Sequence, residues 1–318
     1  MDDEQFRIKD LGVIINPAAG AGKAVIENVA GKAIEIFRDC NIVHPAPGNG
    51  RETTIRLAGE IATRVDAILV VGGDGTMSDV AYGLFIAGAP VPIIGIGAGS
   101  TNVGPLISVR PHEMERLDPY ALKMHGVGGI QASLNKARIG LGFNDVVLGD
   151  TVLTTLEGRV MQVSAVEFIK GKKKPAAPLK SGKKDSEICI ERRDEVVEIH
   201  KGIFGQMFAA PLEERYLGKG LAGGTSLAAA LGLPAGIAIT SEPIINYSIG
   251  PEDFLAKEPI VTKTASFRKS DEVIVKGLRE GTCLIVDGNP LVILRDDDEV
   301  RLRYLPDVAW VLRPHISR

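Results

Sequence analysis

The chain has 318 residues, a net charge of −3 at pH 7, 45% hydrophobic and only 5% aromatic residues. That balance offers no general positive field for nucleic acid and few platforms for stacking bases, so no nucleic-acid partner is expected. Cys40, Cys189 and Cys283 are odd in number and lack zinc spacing, Met1 to Asp10 is charged, and no apolar run is long enough to cross a bilayer; a cytoplasmic protein with reduced thiols and no membrane partner is expected.

Length alone suggests two domains, each able to bury a core. From Leu11 the chain alternates β-branched runs with helical segments: strand Leu11 to Ile15, helix Ala24 to Asp39, strand Asn41 to His44, helix Thr53 to Thr63, strand Ala67 to Val71, helix Met77 to Ile86 and strand Pro92 to Ile96. Such alternation predicts an open parallel α/β sheet over residues 1–122. In these sheets ligands bind beyond the carboxyl ends of the strands.

After Leu122 the pattern turns to short β-rich runs: Gln131 to Arg138, Asp145 to Leu153, Val160 to Ile169, Glu187 to Glu191, Val196 to His200, Val261 to Phe267, Glu272 to Val275, Cys283 to Val286, Leu291 to Leu294 and Val300 to Tyr304. Period-two alternation and turn residues such as Asp287 to Pro290 predict a C-terminal β-sandwich domain over 123–305. One helix, Thr225 to Leu231, interrupts it. Val308 to Pro314 is read as a return to the first domain, which then includes 306–318. Lys170 to Lys184 holds seven lysines; it is read as a solvated hairpin loop, with a contact to anionic membranes or phosphates as its alternative.

Three Gly-rich segments fall at predicted strand ends. Gly72-Gly73-Asp74-Gly75-Thr76 lies between strand and helix, where glycines let backbone N–H groups approach phosphate oxygens and the helix turns its positive end the same way. A carboxylate there makes sense if it meets a metal ion or a hydroxyl about to lose its proton, which points to phosphoryl transfer. The competing reading is a plain turn with Asp74 as N-cap. Asn16 to Lys23 fails as a Walker A loop, because Pro17 and Ala24 stand where Gly and Ser or Thr are needed, and Val25 stands where a dinucleotide fingerprint needs a third glycine. What remains is Gly20 and Gly22 at a helix start with Lys23 as a point charge, or a turn that only redirects the chain. In Gly97 to Asn102 small residues such as Gly99 permit close approach while Ser100, Thr101 and Asn102 offer hydroxyl and amide groups to ribose or phosphate oxygens, or Ser100 or Thr101 is a helix N-cap. Asn144 and Asp145 are unusual beside the β-patterned Val146 to Leu148 and form a turn or face a ligand.

Together, Asn16-Pro17 with Gly20 and Gly22, Gly72 to Thr76, Gly97 to Asn102, Asn144-Asp145 and Asp287-Gly288 resemble the superfamily of NAD kinases and diacylglycerol/sphingosine-type lipid kinases. The resemblance implies an α/β domain and a β-sandwich domain meeting at a cleft, where ATP or polyphosphate donates a phosphoryl group to a hydroxyl with Mg2+. Asp74 is then the base or hydroxyl-orienting group and the candidate contact to Mg2+. Asn16, Gly20, Gly22, Lys23, Gly72, Gly73, Gly75, Thr76, Gly99, Thr101 and Asn102 surround the donor. Asn144 and Asp145, similar to the Asn-Glu/Asp motif of NAD kinases, hold the acceptor. Lipid kinases of the superfamily carry Asp-Gly-Glu and NAD kinases Asp-Gly-Gln; Asp287-Gly288-Asn289 is nearer the second. Gly223-Gly224-Thr225-Ser226 stands for the Ser/Thr-rich segment of NAD kinases, whereas Asn16-Pro17 and Ser100-Thr101-Asn102 also resemble the lipid branch. The expectation is a divergent, homo-oligomeric NAD kinase-like enzyme making NADP from NAD, with a lipid kinase and a non-catalytic nucleotide-binding module as alternatives.

Overall fold

The computed structural model describes residues 6–44, 50–99, 102–156, 159–212, 233–244 and 259–314. Thr101, Gly223 to Ser226, the helix expected at Thr225 to Leu231 and His315 lie outside the described residues. The chain forms two compact units, one of residues 1–128 with 307–318 and one of residues 129–306.

The first unit alternates as its sequence predicts: β1 (Asp10–Ile15), α1 (Lys23–Ile36), β2 (Asn41–Val43), α2 (Arg51–Ile61), β3 (Ala67–Gly72), α3 (Asp74–Ala87) and β4 (Ile93–Gly97). The strands are parallel in the order β2-β1-β3-β4, and Val311 of the chain's last strand pairs in parallel with Ile93. Every residue of β3 is buried, which explains its continuous apolar run. Leu11, Val13, Leu69, Val71, Ile94 and Ile96 pack with Ile26, Val29, Ala30, Ala33 and Phe37 of α1 and its end. Gly83 of α3 lies so near α2 that a Cβ would stand 2.3 Å from the Ile55 carbonyl oxygen. Small residues at this crossing draw the two helices together. β1 and β3 are neighbours whose following connections run to opposite sides, the switch point at which such sheets open a crevice.

The second unit is antiparallel. One sheet has the order β14 (Thr262–Phe267), β13 (Ala235–Thr240), β12 (Gln206–Pro211), β7 (Val146–Gly149), β16 (Cys283–Val286) and β17 (Asn289–Ile293). The other joins β11 (Val196–Lys201), β10 (Gly182–Glu191), β15 (Glu272–Leu278) and β18 (Val300–Pro314), the last through residues 300–303. Their facing residues, among them Val146, Leu148, Ile188, Ile190, Ile237, Val273, Leu284 and Leu302, form a core with no significant exposure. This is the expected β-sandwich. A third layer, the hairpin of β8 (Thr151–Leu156) and β9 (Arg159–Ser164) followed by α4 (Ala165–Ile169), covers the outer face of the first sheet through Val152, Val163 and Ala165.

Several runs differ from expectation. Gln131 to Arg138 is no single strand: β5 (Leu122–Leu134) turns into β6 (Ala137–Gly142) through Asn135 and Lys136, at φ 49° and 71°, the left-handed pair that tight hairpins need. Val160 to Ile169 becomes helical at Ala165, where the Ser164 side chain accepts the Glu167 N–H as an N-cap. Asp145 to Leu153 breaks between β7 and β8. β12 and β13 carry no alternation, because all their residues are buried on both faces.

Candidate functional site

At the carboxyl ends of β1, β3 and β4 three loops are bonded into one structure. The Asn16 N–H donates to the Val71 carbonyl at 2.9 Å, and the Ala98 N–H to the Gly72 carbonyl at 2.6 Å. The Ala21 N–H donates to the Ala98 carbonyl at 3.1 Å. The first loop therefore rests on the third, and the third on the second.

The glycines have assignable physical reasons. A Cβ on Gly72 would fall 2.7 Å from Thr76 Cβ and Oγ1, so this glycine makes room for Thr76. A Cβ on Gly73 would stand 3.0 Å from Gly99 Cα, and one on Gly99 only 2.5 Å from Gly73 Cα. Bare backbone faces bare backbone there. Gly22, at φ 85°, precedes α1, and Gly73 precedes α3; neither helix start has a side-chain cap. The first-turn N–H groups of two helices thus lack the usual Ser, Thr, Asn or Asp oxygen, an arrangement suited to an anion.

Asp74 is not an N-cap. It is the first residue of α3, and its carboxylate accepts the Val103 N–H at 3.2 Å on Oδ2 and the Gly104 N–H at 3.0 Å on Oδ1. These bonds fix the plane of the carboxylate at the head of the helix. Asn102, at φ 53°, accepts the Gly99 N–H at 2.6 Å and donates back to the Gly99 carbonyl at 2.8 Å, so its amide shapes the third loop. Asn16 Nδ2 donates to Thr76 Oγ1 at 2.8 Å, while its Oδ1 accepts the Ala18 N–H at 3.0 Å. Thr76 is 8% exposed, and its hydroxyl ties the first loop to α3.

The structure thus brings together Asn16, Gly72, Gly73, Asp74, Gly75, Thr76, Gly99 and Asn102, with Gly20 and Gly22 on the adjoining loop. The side chain of Lys23, the expected point charge at the start of α1, is 75% exposed, with its Nζ 3.8 Å from Glu27. Among the described residues no three His, Cys, Asp or Glu side chains could hold a metal ion by themselves. A Mg2+ ion shared with phosphates and water needs only a single protein carboxylate, and Asp74 is a carboxylate that stands at these loops.

In the second unit, Asn144 and Asp145 occupy the bend before β7, and what gathers them is Asp287. Its Oδ1 accepts the N–H groups of Asn144 at 2.7 Å, Asp145 at 2.9 Å and Phe143 at 3.1 Å; Oδ2 accepts Phe143 at 2.9 Å. The Asp287 N–H returns to the Asp145 carbonyl at 3.0 Å. Asp287 and Asn144 are both 8% exposed. In sequence Asp287 was legible as half of a turn and as part of the Asp-Gly motif of the resemblance, not as the acceptor of these N–H groups; it stands at φ 46° before Gly288 at φ 79°. Its partners lie more than 140 positions away, and only the antiparallel pairing of Val286 with Val146 brings them beside it.

The model of the diacylglycerol kinase catalytic domain matches residues 10–106. An uncharacterised protein of Archaeoglobus fulgidus is 35% identical over 320 residues, covering 96% of this chain and 98% of its own length. The NAD kinase of Pseudomonas putida strain F1 is 32% identical over 125 residues, which cover 38% of this chain and 40% of that enzyme. Among solved structures, a putative diacylglycerol kinase from Bacillus anthracis str. Sterne superposes with a TM-score of 0.54 at 15% identity over 96% of both chains.

Proposed function

We propose a phosphoryl transfer on one premise: the chain belongs to the superfamily of NAD kinases and diacylglycerol kinase-like enzymes. Its donor is a nucleoside triphosphate, ATP, and its acceptor the 2′-hydroxyl of NAD. The observation that carries this reading is the position of Asp74, a carboxylate held by two backbone N–H groups at the head of α3, a helix start that, like that of α1, has no side-chain cap. A phosphate drawn to the N–H groups of these helix starts would set its γ-phosphoryl near Asp74, the carboxylate that takes the acceptor proton or orients the hydroxyl. Gly73, Gly75 and Gly99 leave the backbone open to it, and Asn16, Thr76 and Asn102 hold the loops in register. Asp74 is also the residue that would hold Mg2+ together with donor oxygens, and the ion would supply neutralisation of phosphate charge. Positioning and charge neutralisation account for most of such a catalyst's effect.

Asn144 and Asp145 contact the acceptor in this reading, supported by the Asp287 carboxylate that fixes their backbone, while the match to an NAD kinase over 38% of the chain supports NAD as that acceptor. A lipid alcohol is the second reading, favoured by the diacylglycerol kinase model that matches 10–106. Turnover with ATP and Mg2+ on NAD, NADH and micellar diacylglycerol, with the phosphorylated product identified by mass, decides between them. NADP formation is expected. Phosphatidate as the sole product replaces the first reading by the second, and no product from any acceptor removes both.

A further inference from the structure

The segment expected to be a solvated hairpin loop is pinned down along its length. Leaving α4, the Lys172 N–H donates to the Glu167 carbonyl at 2.9 Å. The segment then runs along the edge of β9: the Ser164 N–H donates to the Lys174 carbonyl at 2.9 Å, Pro175 bridges Val163, and the Ala176 N–H reaches the Gln162 carbonyl. Its far end is held by a half-buried ion pair. Asp150 accepts the Leu179 N–H at 3.1 Å, and Arg279, 3.0 Å from Asp150, donates to the Lys180 carbonyl. The Ser181 N–H closes on the Gly205 carbonyl at 2.8 Å. A loop that serves only as a connection does not need this many anchors.

What these anchors present is unusual for this chain. Residues 170–184 carry seven lysines and no acid, in a protein of net charge −3. Lys170, Lys172, Lys173, Lys174 and Lys180 are exposed; Lys170 is paired with Glu167 at 2.9 Å, Lys180 with Glu242 and Lys183 with Asp296 at 3.4 Å. Lys170, Lys172 and Lys174 stand close enough to Glu167 to hold its carboxyl below the usual range, chiefly through the Lys170 hydrogen bond. Two large aliphatic side chains stand among them in the open, Ile169 at 39% and Leu179 at 56% exposure.

We infer that this anchored surface docks on a bilayer rich in anionic headgroups, the lysines meeting the headgroups and Ile169 and Leu179 entering the interface. Lysines without apolar neighbours would suit any polyanion. Exposed aliphatics favour lipid, because acyl chains accept them and water does not. Residues 169–184 contain no aromatic side chain, so nucleic-acid bases find nothing to stack on. The inference concerns where the enzyme resides and stands independently of its acceptor.

Flotation with vesicles of phosphatidylcholine alone, and of the same lipid mixed with phosphatidylglycerol, tests it on the full chain. The parent should float only with the anionic vesicles, and less as salt rises. Changing Lys172, Lys173 and Lys174 together to Glu should weaken partition by roughly 100-fold or more, from about fivefold per basic residue. The double change Ile169→Ser and Leu179→Ser should weaken it by about tenfold through lost apolar insertion. Both variants should keep the parent's thermal midpoint and its turnover on a soluble acceptor. The inference is overturned if the parent ignores anionic vesicles, if the triple variant floats as the parent does, or if the aliphatic pair makes no difference while an oligonucleotide displaces the protein from the vesicles. The last result identifies a general polyanion surface.

Discussion

Asp287→Ala tests how the second unit holds residues 143–145. It removes the acceptor of three backbone N–H groups, those of Phe143, Asn144 and Asp145, at a place where Asp287 and Asn144 are 8% exposed. A buried donor left without a partner costs about 1–3 kcal/mol. Asp145 is only partly buried, so water recovers some of that, and a loss of about 3–5 kcal/mol is expected. That is a large part of the ~5–15 kcal/mol that holds an ordinary domain folded. Asp287 also sits at φ 46°, a left-handed conformation that costs a residue with a Cβ about 1–2 kcal/mol, and that Asn tolerates better than Ala. Asp287→Asn keeps one oxygen and the backbone preference, so about half the loss should return. Urea unfolding of parent and both variants, compared at constant slope, measures this. A loss below about 1 kcal/mol for Asp287→Ala would show that the carboxylate does not organise residues 143–145, and the account of how Asn144 and Asp145 are held would fall with it.

Gly99→Ala places a Cβ 2.5 Å from Gly73 Cα; it should cost about 1–3 kcal/mol and raise the KM for ATP, and an unchanged thermal midpoint would deny the close approach of the two loops. Asn144→Ala should raise the KM for NAD about tenfold and leave that for ATP nearly unchanged, whereas equal effects on both substrates would return Asn144 to a plain turn residue. Cys283 is fully buried, and burial with Asp150 beside it pushes its thiol up to about 12. A maleimide at neutral pH should therefore add at most two labels to the folded protein, at Cys40 and Cys189, and a third only in denaturant; a native triple adduct contradicts the packing of β16.

How much of this was legible in sequence depends on how local the signal is. β1, β3 and β4 are short β-branched runs bounded by glycine loops, and adjacent residues define them. α3 begins three residues before its expected start because Asp74-Gly75-Thr76 has the composition of a loop; the helix takes them up since Gly73 opens the turn and Thr76 is tied to Asn16. β12 and β13 gave no period-two signal, being buried on both faces. The convergence of the three loops was readable from their places at the carboxyl ends of alternating strands, but the reasons for individual glycines were not. Gly72 answers to Thr76, and Gly73 to Gly99, a residue 26 positions away. The Lys170 to Lys184 segment shows the same limit: its composition reads as solvent-exposed, while its anchors, Asp150, Gly205 and Arg279, come from three other parts of the chain.

The central claim is that Asp74 takes part in transferring a phosphoryl group to a hydroxyl. The measurement that tests it is the rate of NADP formation from NAD, ATP and Mg2+ by the parent and by Asp74→Asn, with thermal unfolding of both recorded alongside. Asn keeps an oxygen for one of the Val103 and Gly104 N–H groups, so the variant should remain folded with a slightly lowered midpoint. Its rate should fall by roughly 100- to 10,000-fold, the usual contribution of a positioned base. A folded variant whose rate stays within a few-fold of the parent's would mean that Asp74 serves only to hold residues 103–104, and that the chemistry belongs to another group.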